Sequence, residues 1–129
     1  MKPVLNNPDV VAAPLGRYTH VVETPPGAGL VFISGQVPVA LDGHVPATLA
    51  EQADQVYANI VALLTDRGVP VSNILKLTTF LTEDDDEDCV RKARAKHLGE
   101  HRPASTAVFV TRLVDPAWKI EIDAVALRP

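Results

Sequence analysis

Glu121 and Asp123, near the end of the chain, are two carboxylates whose spacing would let them act together on a water molecule. They lie in the alternating segment 120–124, which predicts a strand, so both point to one face while Ile120 and Ile122 point to the other. A carboxylate held in a cleft can act as a general base on water. Solvated carboxylates at a sheet edge follow the same pattern, and the pattern leaves both interpretations open.

The sequence Ser34-Gly35-Gln36 is a second candidate site because it closes a predicted strand. Gly35 has no side chain, so a ligand can approach the backbone N–H groups there. An ordinary turn has the same composition, and without further information the turn is the preferred interpretation.

Several other kinds of chemistry are disfavoured by the residue pattern. Ser34 lacks the G-x-S-x-G elbow of covalent hydrolases, and Cys89 follows a run of acids whose field disfavours a thiolate. His97 and His101 have metal-ligand spacing, but Gly99 interrupts their helix and no third ligand is evident. The sequence also contains no glycine-rich phosphate loop. We therefore expect neither a metal nor another cofactor.

The composition indicates a single globular domain spanning residues 1–129. Hydrophobic residues make up 47% of the chain and there is a single cysteine, so we expect a core without a disulfide. A net charge of -4 and an aromatic content of 5% argue against a nucleic-acid partner, which needs a basic or base-stacking surface. With no secretory signal and no apolar stretch of membrane-spanning length, we expect no membrane partner and a cytoplasmic location.

Periodicity predicts the α+β class with the element order β-β-α-β-α-β-β. Thr48 and Glu51 form a capping box for the first helix, which ends at Gly68, and Gly99 ends the second helix. The second helix begins in the acidic run 83–88 and ends in basic residues. The helix dipole favours that order, so we interpret the run as solvated helix rather than an acidic docking site. The predicted strands are 18–23, 30–34, 74–81, 106–112 and 119–127, the first two paired as a hairpin.

The connections between these elements predict a mixed sheet with both helices on one face. Strands joined across a helix imply parallel neighbours, and right-handed crossovers place both helices on the same side of the sheet. The opposite face is then uncovered, and the strands carry more apolar surface than two helices can cover, so we expect oligomers. The apolar residues behind this expectation are Ala107, Phe109, Leu113, Ile120, Ile122, Val125 and Leu127.

Five segments, in order along nearly the whole chain, resemble the Rid family (RidA/YjgF, endoribonuclease L-PSP). The segments are 16–20, 32–38, 59–60, 76–81 and 119–126. The resemblance implies a chorismate-mutase-like fold and a homotrimer in which three sheets form a central barrel. The helices would lie outside, with small-molecule ligands bound in clefts between subunits, and such an assembly would cover the bare sheet face.

The resemblance also implies an activity and a set of site residues. Family members with established activity hydrolyse reactive enamines and imines, such as 2-aminoacrylate released by pyridoxal-phosphate enzymes, to the ketoacid and ammonia without a cofactor. In such a site an arginine binds the substrate carboxylate and a glutamate positions or activates water. Glu121 matches that glutamate, Tyr18 matches a tyrosine that lines the cleft, and Gly35 matches the glycine of the S-G-Q motif.

The family arginine is absent from this chain. Deaminase-type members carry it at the start of the penultimate strand, where residues 103–106 here are Pro-Ala-Ser-Thr, so Ser105 takes its place. A neutral hydroxyl cannot replace a planar guanidinium. Two arginines are candidate substitutes. Arg102 falls on the opposite strand face unless Pro103 bends the chain, and Arg91 is either a solvated helix residue or a ligand contact.

The preferred hypothesis is therefore a Rid-like homotrimer that binds or hydrolyses a small imine or enamine with atypical specificity. Glu121 would be catalytic, and Tyr18, Gly35, Ser105 and Arg91 would contact the substrate. A non-catalytic trimer that binds metabolites or proteins is the alternative. An endoribonuclease is the third hypothesis, and the acidic charge and scarce aromatic residues count against it.

Overall fold

The computed structural model describes residues 2–83 and 87–129, except for the side chain of Glu87. Over these ranges the chain forms a four-stranded sheet, a separate two-stranded sheet and two α-helices. The elements are β1 (Val4–Asn6), β2 (Val21–Glu23), β3 (Leu30–Gln36), α1 (Leu49–Asp66), a 3₁₀ turn (Val71–Asn73), β4 (Ile74–Leu81), α2 (Glu87–Leu98), β5 (Ala104–Phe109) and β6 (Ile120–Leu127). The predicted α+β class is confirmed.

The main sheet is mixed, with the strand order β3-β6-β4-β5. Strand β4 runs parallel to β5 across the α2 connection, as predicted, and antiparallel to β6, which is also antiparallel to β3. Both helices contribute to one hydrophobic core with the same face of the sheet. The strand residues in that core include Leu77, Leu81, Ile120, Ile122, Ala124 and Ala126.

Helix α1 begins and ends where its sequence predicts. The Thr48 hydroxyl oxygen accepts a hydrogen bond from the Glu51 backbone N–H at 3.2 Å, which satisfies one of the free donors of the first turn. Gly68 follows the helix with φ +70°, a conformation that glycine adopts without a Cβ penalty. The apolar residues that recur at helical spacing along α1, Leu49, Ala53, Val56, Tyr57, Ile60 and Leu64, are buried, whereas Leu63 is 41% exposed.

The predicted hairpin between 18–23 and 30–34 is wrong. Strand β2 is shorter than predicted and pairs with β1, whereas β3 pairs with β6. Gly27, with φ +77°, does form a turn between β2 and β3, but the two strands enter different sheets. Pairing with β6 lets Val31 and Ile33 pack against the helices, a gain that the three-residue β2 cannot offer.

The sheet has an uncovered face, as predicted, but most of the expected residues do not lie on it. Val125, which pairs with Phe32, does. Ile120 and Ile122 alternate onto the helix-covered side and are fully buried, and Leu113 is also buried. The opposite side of the same strands, which we call the open face, carries the exposed apolar residues Leu30, Phe32 and Val108. Phe32 is the most exposed of the three, at 74%.

Two members of the acidic run 83–88 lie close to basic residues. Glu83 pairs with Lys119, and Asp88 lies 3.5 Å from Arg91 within the first helical turn. Residues 84–86 of the run lie outside the described ranges. Gly99, with φ +62°, ends the helix as predicted.

Candidate functional site

A cavity of about 320 Å³ lies between α2 and the strands β4 and β5, on the helix-covered side of the sheet. Its apolar walls are formed by Leu49, Leu81, Val90, Ala107 and Phe109. Its polar lining includes Tyr18, Thr79, Arg91, Arg94 and Ser105. An apolar cavity with a few convergent polar groups is the usual form of a small-molecule site.

The parallel register of β4 and β5 explains which strand residues line the cavity. Ser105 lies beside Leu77, Ala107 beside Thr79, and Phe109 beside Leu81. Because neighbouring residues in register point to the same face, Ser105 lies on the side of the buried Leu77, facing the helices. Ser105 was a predicted site residue, and its position depends on β5 starting at Ala104, two residues earlier than predicted.

Tyr18 reaches the cavity from the segment before β2. The backbone N–H of Thr19 donates to the Pro103 carbonyl at 3.0 Å, and the Thr19 hydroxyl donates to the Arg102 carbonyl. These bonds hold the segment beside the start of β5. The Tyr18 hydroxyl oxygen accepts from the Leu15 N–H at 3.2 Å. Tyr18, Ser105 and Arg91, three of the predicted site residues, therefore line one cavity.

Arg94 is a cavity residue that the sequence reasoning missed. From the middle of α2 its guanidinium donates to the Tyr57 hydroxyl at 3.1 Å, to the Arg17 carbonyl at 2.9 Å and to the Ser105 hydroxyl at 3.0 Å. The signal was helical spacing. Position 94 is four residues after Val90, which lines the cavity, and helix residues four apart lie on the same side.

The two arginines weighed from the sequence occupy different surroundings. Arg91 lines the cavity with a side chain that is 62% exposed, and it lies 3.5 Å from Asp88. Its exposure fits a solvated helix residue, and its place in the cavity wall fits a ligand contact. Arg102 is exposed and does not line the cavity.

Glu121 and Gly35 lie against each other on the open face, away from the cavity. Glu121 is opposite Phe80 in the sheet, on the other side from Ile120 and Ile122. The register of β3 against β6 shifts between Ile33 and Gln36, which marks a bulge in the segment that contains Gly35. The Glu121 carboxylate fills the space beside Gly35 that a larger residue would occupy.

The open face carries a second carboxylate, Asp123, opposite Thr78. Glu121 and Asp123 point to the same side, as the alternation predicts. The hydrogen bonds of residues 2–83 and 87–129 involve neither carboxylate. Nearby on the same face, Lys76 Nζ donates to Thr106 Oγ1 at 2.6 Å.

A single chain thus divides the predicted site into two parts. Tyr18, Arg91 and Ser105 line the cavity on the helix-covered side. Glu121 and Gly35 lie on the open face. Because a four-stranded sheet separates two faces of each subunit, joining these parts into one site requires a second copy of the chain.

The two histidines considered as metal ligands have separate partners. His97 Nε2 lies 2.8 Å from Asp54 Oδ1, and His101 Nε2 lies 2.7 Å from the Ile74 carbonyl. Hydrogen bonds from Lys96 and then from His97 lower the pKa of Asp54 below its ordinary value. In residues 2–83 and 87–129, no cluster of three or more metal-ligating side chains occurs. No helix in the same ranges is long and apolar enough to cross a membrane.

Known proteins match this chain over almost its whole length. The family model described as Endoribonuclease L-PSP matches residues 10–128. The 2-iminobutanoate/2-iminopropanoate deaminase of Escherichia coli strain K12 is 35% identical over 120 residues, which cover 90% of this chain and 91% of that protein. The crystal structure of E. coli TdcF with bound serine is 32% identical, with a TM-score of 0.73, covering 90% of this chain and 91% of that one.

The fold is also found in a Rid family protein of unknown function, YyfB from Yersinia pestis. The TM-score is 0.85 over 98% of this chain and 99% of that one, at 24% sequence identity, so this likeness concerns the fold alone. The chorismate-mutase-like fold implied by the resemblance is confirmed. By its family-model match and its relatives, the chain belongs to the endoribonuclease L-PSP family, the Rid family of RidA and YjgF.

Proposed function

We propose that this protein hydrolyses small imines or enamines in clefts between the subunits of a homotrimer, without a cofactor. The observation that carries the proposal is the Glu121 carboxylate, which lies against Gly35 and accepts no hydrogen bond from residues 2–83 and 87–129. Such a carboxylate is available to bind water. A relative that is 35% identical is a 2-iminobutanoate/2-iminopropanoate deaminase, which supports an imine as the substrate class.

The reaction needs one water and one base. Glu121 removes a proton from water as the water oxygen bonds to the imine carbon, and the C=N bond becomes a C–N single bond. The nitrogen takes this proton back from Glu121 to give a carbinolamine, and the hydroxyl then passes its own proton through Glu121 to the nitrogen as the C–N bond breaks. Water and imine thus give ammonia and a ketone or ketoacid. An enamine first takes up a proton at carbon to become the imine.

The division of the site between two faces supports an assembly of several copies, as in the proposed homotrimer. Within one chain Glu121 lies on the open face, while Tyr18, Ser105 and Arg91 line the cavity on the other side. A neighbouring copy whose open face packs at the mouth of this cavity would bring a Glu121 and a Gly35 to the substrate. Exposed apolar residues on the open face, Phe32 above all, favour such packing.

The test is a screen of cyclic and acyclic imines and enamines, followed by Glu121→Gln on any compound that the wild type hydrolyses. This change keeps the size and much of the hydrogen bonding of the side chain but removes the base, so turnover should fall about 10²–10⁴-fold. Asp123→Asn is the matched control on the same face and should keep turnover within a few-fold.

Two results would contradict the proposal. Turnover that survives Glu121→Gln would remove Glu121 from the catalytic role. A wild type inert to the whole screen would favour the alternative of a non-catalytic binding trimer. An RNA substrate in the same screen covers the endoribonuclease hypothesis, which predicts RNA cleavage where ours predicts none.

A further inference from the structure

Arg94 carries a positive charge that the described residues do not neutralise. Its three hydrogen-bond partners, the Tyr57 hydroxyl, the Arg17 carbonyl and the Ser105 hydroxyl, are all neutral oxygens. The ion pairs of residues 2–83 and 87–129 do not include it. A guanidinium has five N–H donors, so one N–H remains on each of the two terminal nitrogens. These two donors are available to a ligand carboxylate.

The position of this guanidinium is fixed by its neighbours. Tyr57 is fully buried in the core, and its hydroxyl oxygen accepts the Nε proton of Arg94. The Tyr57 ring is stacked on His97, with ring centroids 6.1 Å apart. Contacts from α1, β5 and the segment before β2 therefore hold Arg94 before any ligand arrives, and a preorganised group binds with a smaller entropic cost.

Thr79 provides a second, independent indication of a ligand. Its side chain is 1% exposed and lines the same cavity as Arg94. Within residues 2–83 and 87–129 its hydroxyl has no hydrogen-bond partner. A buried hydroxyl without a partner is unfavourable, and native structures rarely keep one that nothing satisfies. A bound molecule with a polar atom near Thr79 would supply that partner.

The remaining walls limit what such a molecule can be. They are mainly apolar, and the cavity volume of about 320 Å³ is at the small end of ligand sites. Glu83 also lines the cavity, and its charge pairs with Lys119. Of the other two arginines in the lining, Arg17 is exposed and Arg91 lies beside Asp88, so Arg94 is the guanidinium that is fixed in the cavity. Beside apolar walls it suits a singly charged carboxylate with an apolar side chain better than a phosphate or a dicarboxylate.

We infer that Arg94 binds the carboxylate of a monocarboxylate ligand whose branched or aromatic side chain occupies this cavity, with the Thr79 hydroxyl bonded to a polar atom of the same ligand. Arg94, on helix α2, thus supplies the positive charge that the family arginine would supply from position 105 on strand β5. One part of this inference rests on the proposed function, namely that the ligand is an imino acid substrate or its 2-oxo acid product. The binding itself does not depend on catalysis.

The experiment measures equilibrium binding to the full-length chain by calorimetry. The probes are 4-methyl-2-oxopentanoate, a branched 2-oxo acid, and its uncharged amide. We expect the wild type to bind the acid more tightly than the amide. Arg94→Gln keeps a donor for Tyr57 but removes the charge, so affinity for the acid should fall about 10- to 100-fold while affinity for the amide stays the same.

Matched variants separate this role from a general loss of structure. Arg102→Ala removes an exposed arginine outside the cavity and should leave both affinities unchanged. Thr79→Val is nearly isosteric and should weaken binding of the acid about three- to ten-fold, while the melting temperature of the ligand-free protein rises because the unpaired hydroxyl is gone. If Arg94→Gln fails to fold, Arg94→Lys replaces it. This variant keeps the charge but loses the planar guanidinium, so its affinity for the acid should be lower than that of the wild type and higher than that for the amide.

Several outcomes would overturn the inference. The first is equal binding of acid and amide by the wild type, or no binding of the acid at millimolar concentration. The second is an acid affinity that Arg94→Gln does not change. Glu121→Gln removes a negative charge near the ligand and should bind the acid at least as tightly as the wild type does. Loss of turnover in that variant with retained binding supports both proposals, whereas Arg94-dependent binding in a protein without turnover supports the ligand site and contradicts the hydrolase.

Discussion

Gly35 and Glu121 fit together so closely that a larger residue at position 35 requires the Glu121 side chain to move. A methyl group placed on Gly35 would lie 2.9 Å from the Glu121 Cδ atom and would overlap its carboxylate. The φ angle of Gly35 is not positive, so the requirement is one of space and not of backbone conformation. The bulge in β3 is what brings this backbone beside the carboxylate.

Gly35→Ala should therefore displace the Glu121 side chain while the chain still folds. If Glu121 activates water, turnover should fall at least about ten-fold, because small displacements of a catalytic group are costly. Gly29→Ala is the matched control, since its added methyl would meet only the flexible Arg128 side chain at 3.4 Å. Equal turnover in the two variants would contradict the proposed role of the Gly35 contact.

Local signals in the sequence predict most of the elements but not their partners. The Thr48 cap and the apolar segment 74–81 are local features, and the structure confirms both. The choice of β6 rather than β2 as the partner of β3 depends on packing against helices that lie far away in sequence. For this reason the hairpin prediction fails although Gly27 does form a turn.

For the candidate site, too, the sequence predicts local features but not long-range contacts. Alternation alone shows that Glu121 and Asp123 share a face. The contact of Glu121 with Gly35 depends on a bulge in β3, and no residue type in that segment predicts a bulge. Arg94 was missed because α2 carries several basic residues, and only its spacing from Val90 sets it apart. Charge identifies candidates for binding, whereas packing decides which of them faces a cavity.

Acid should weaken the protein through Asp54. Its pKa in the folded state is lowered, first by the hydrogen bond from Lys96 and then by the one from His97. A lowered pKa stabilises the fold at pH values above the unfolded pKa of about 4, and this contribution disappears as pH falls through the folded value. The side chain is 44% exposed, so the effect should be at most about 1 kcal/mol.

Urea denaturation of wild type and Asp54→Asn across pH 2–6 checks this expectation. The wild type should be more stable than the variant above about pH 4, and the two should converge at lower pH. High salt should reduce the difference, since the pair is partly exposed. A difference that stays constant from pH 6 to pH 2 would show that the charge of Asp54 is not its source.

Phe32 should be needed for the proposed homotrimer. It is 74% exposed on the open face, where a neighbouring copy would cover it. Phe32→Asp places a charge in that contact, so sedimentation should shift from trimer to monomer at micromolar concentration. Leu63→Asp changes a 41% exposed residue of α1 and should leave the trimer intact. A wild type that sediments as a monomer would contradict both the trimer and the shared cleft.

The contact between Arg94 and Ser105 leads to the last prediction, because it changes what restoring the family arginine should do. Without an arginine at position 105, hydrolysis of 2-aminoacrylate-type imines should be weak in the wild type. Ser105→Arg alone would set a second guanidinium where Arg94 Nη2 now lies 3.0 Å from the Ser105 oxygen. Like charges at that distance repel, so the single variant should lose stability and gain little turnover.

Moving the arginine rather than adding one removes this conflict. The double variant Arg94→Ser with Ser105→Arg keeps one guanidinium and exchanges the helix position for the strand position. We expect it to hydrolyse 2-aminoacrylate-type imines at least about ten-fold faster than Arg94→Ser alone, measured as ammonia release, since the carboxylate again has a bidentate partner. Greater turnover in Ser105→Arg than in the double variant would show that the two guanidinium groups coexist, and that Arg94 leaves the position 105 side chain free to bind substrate.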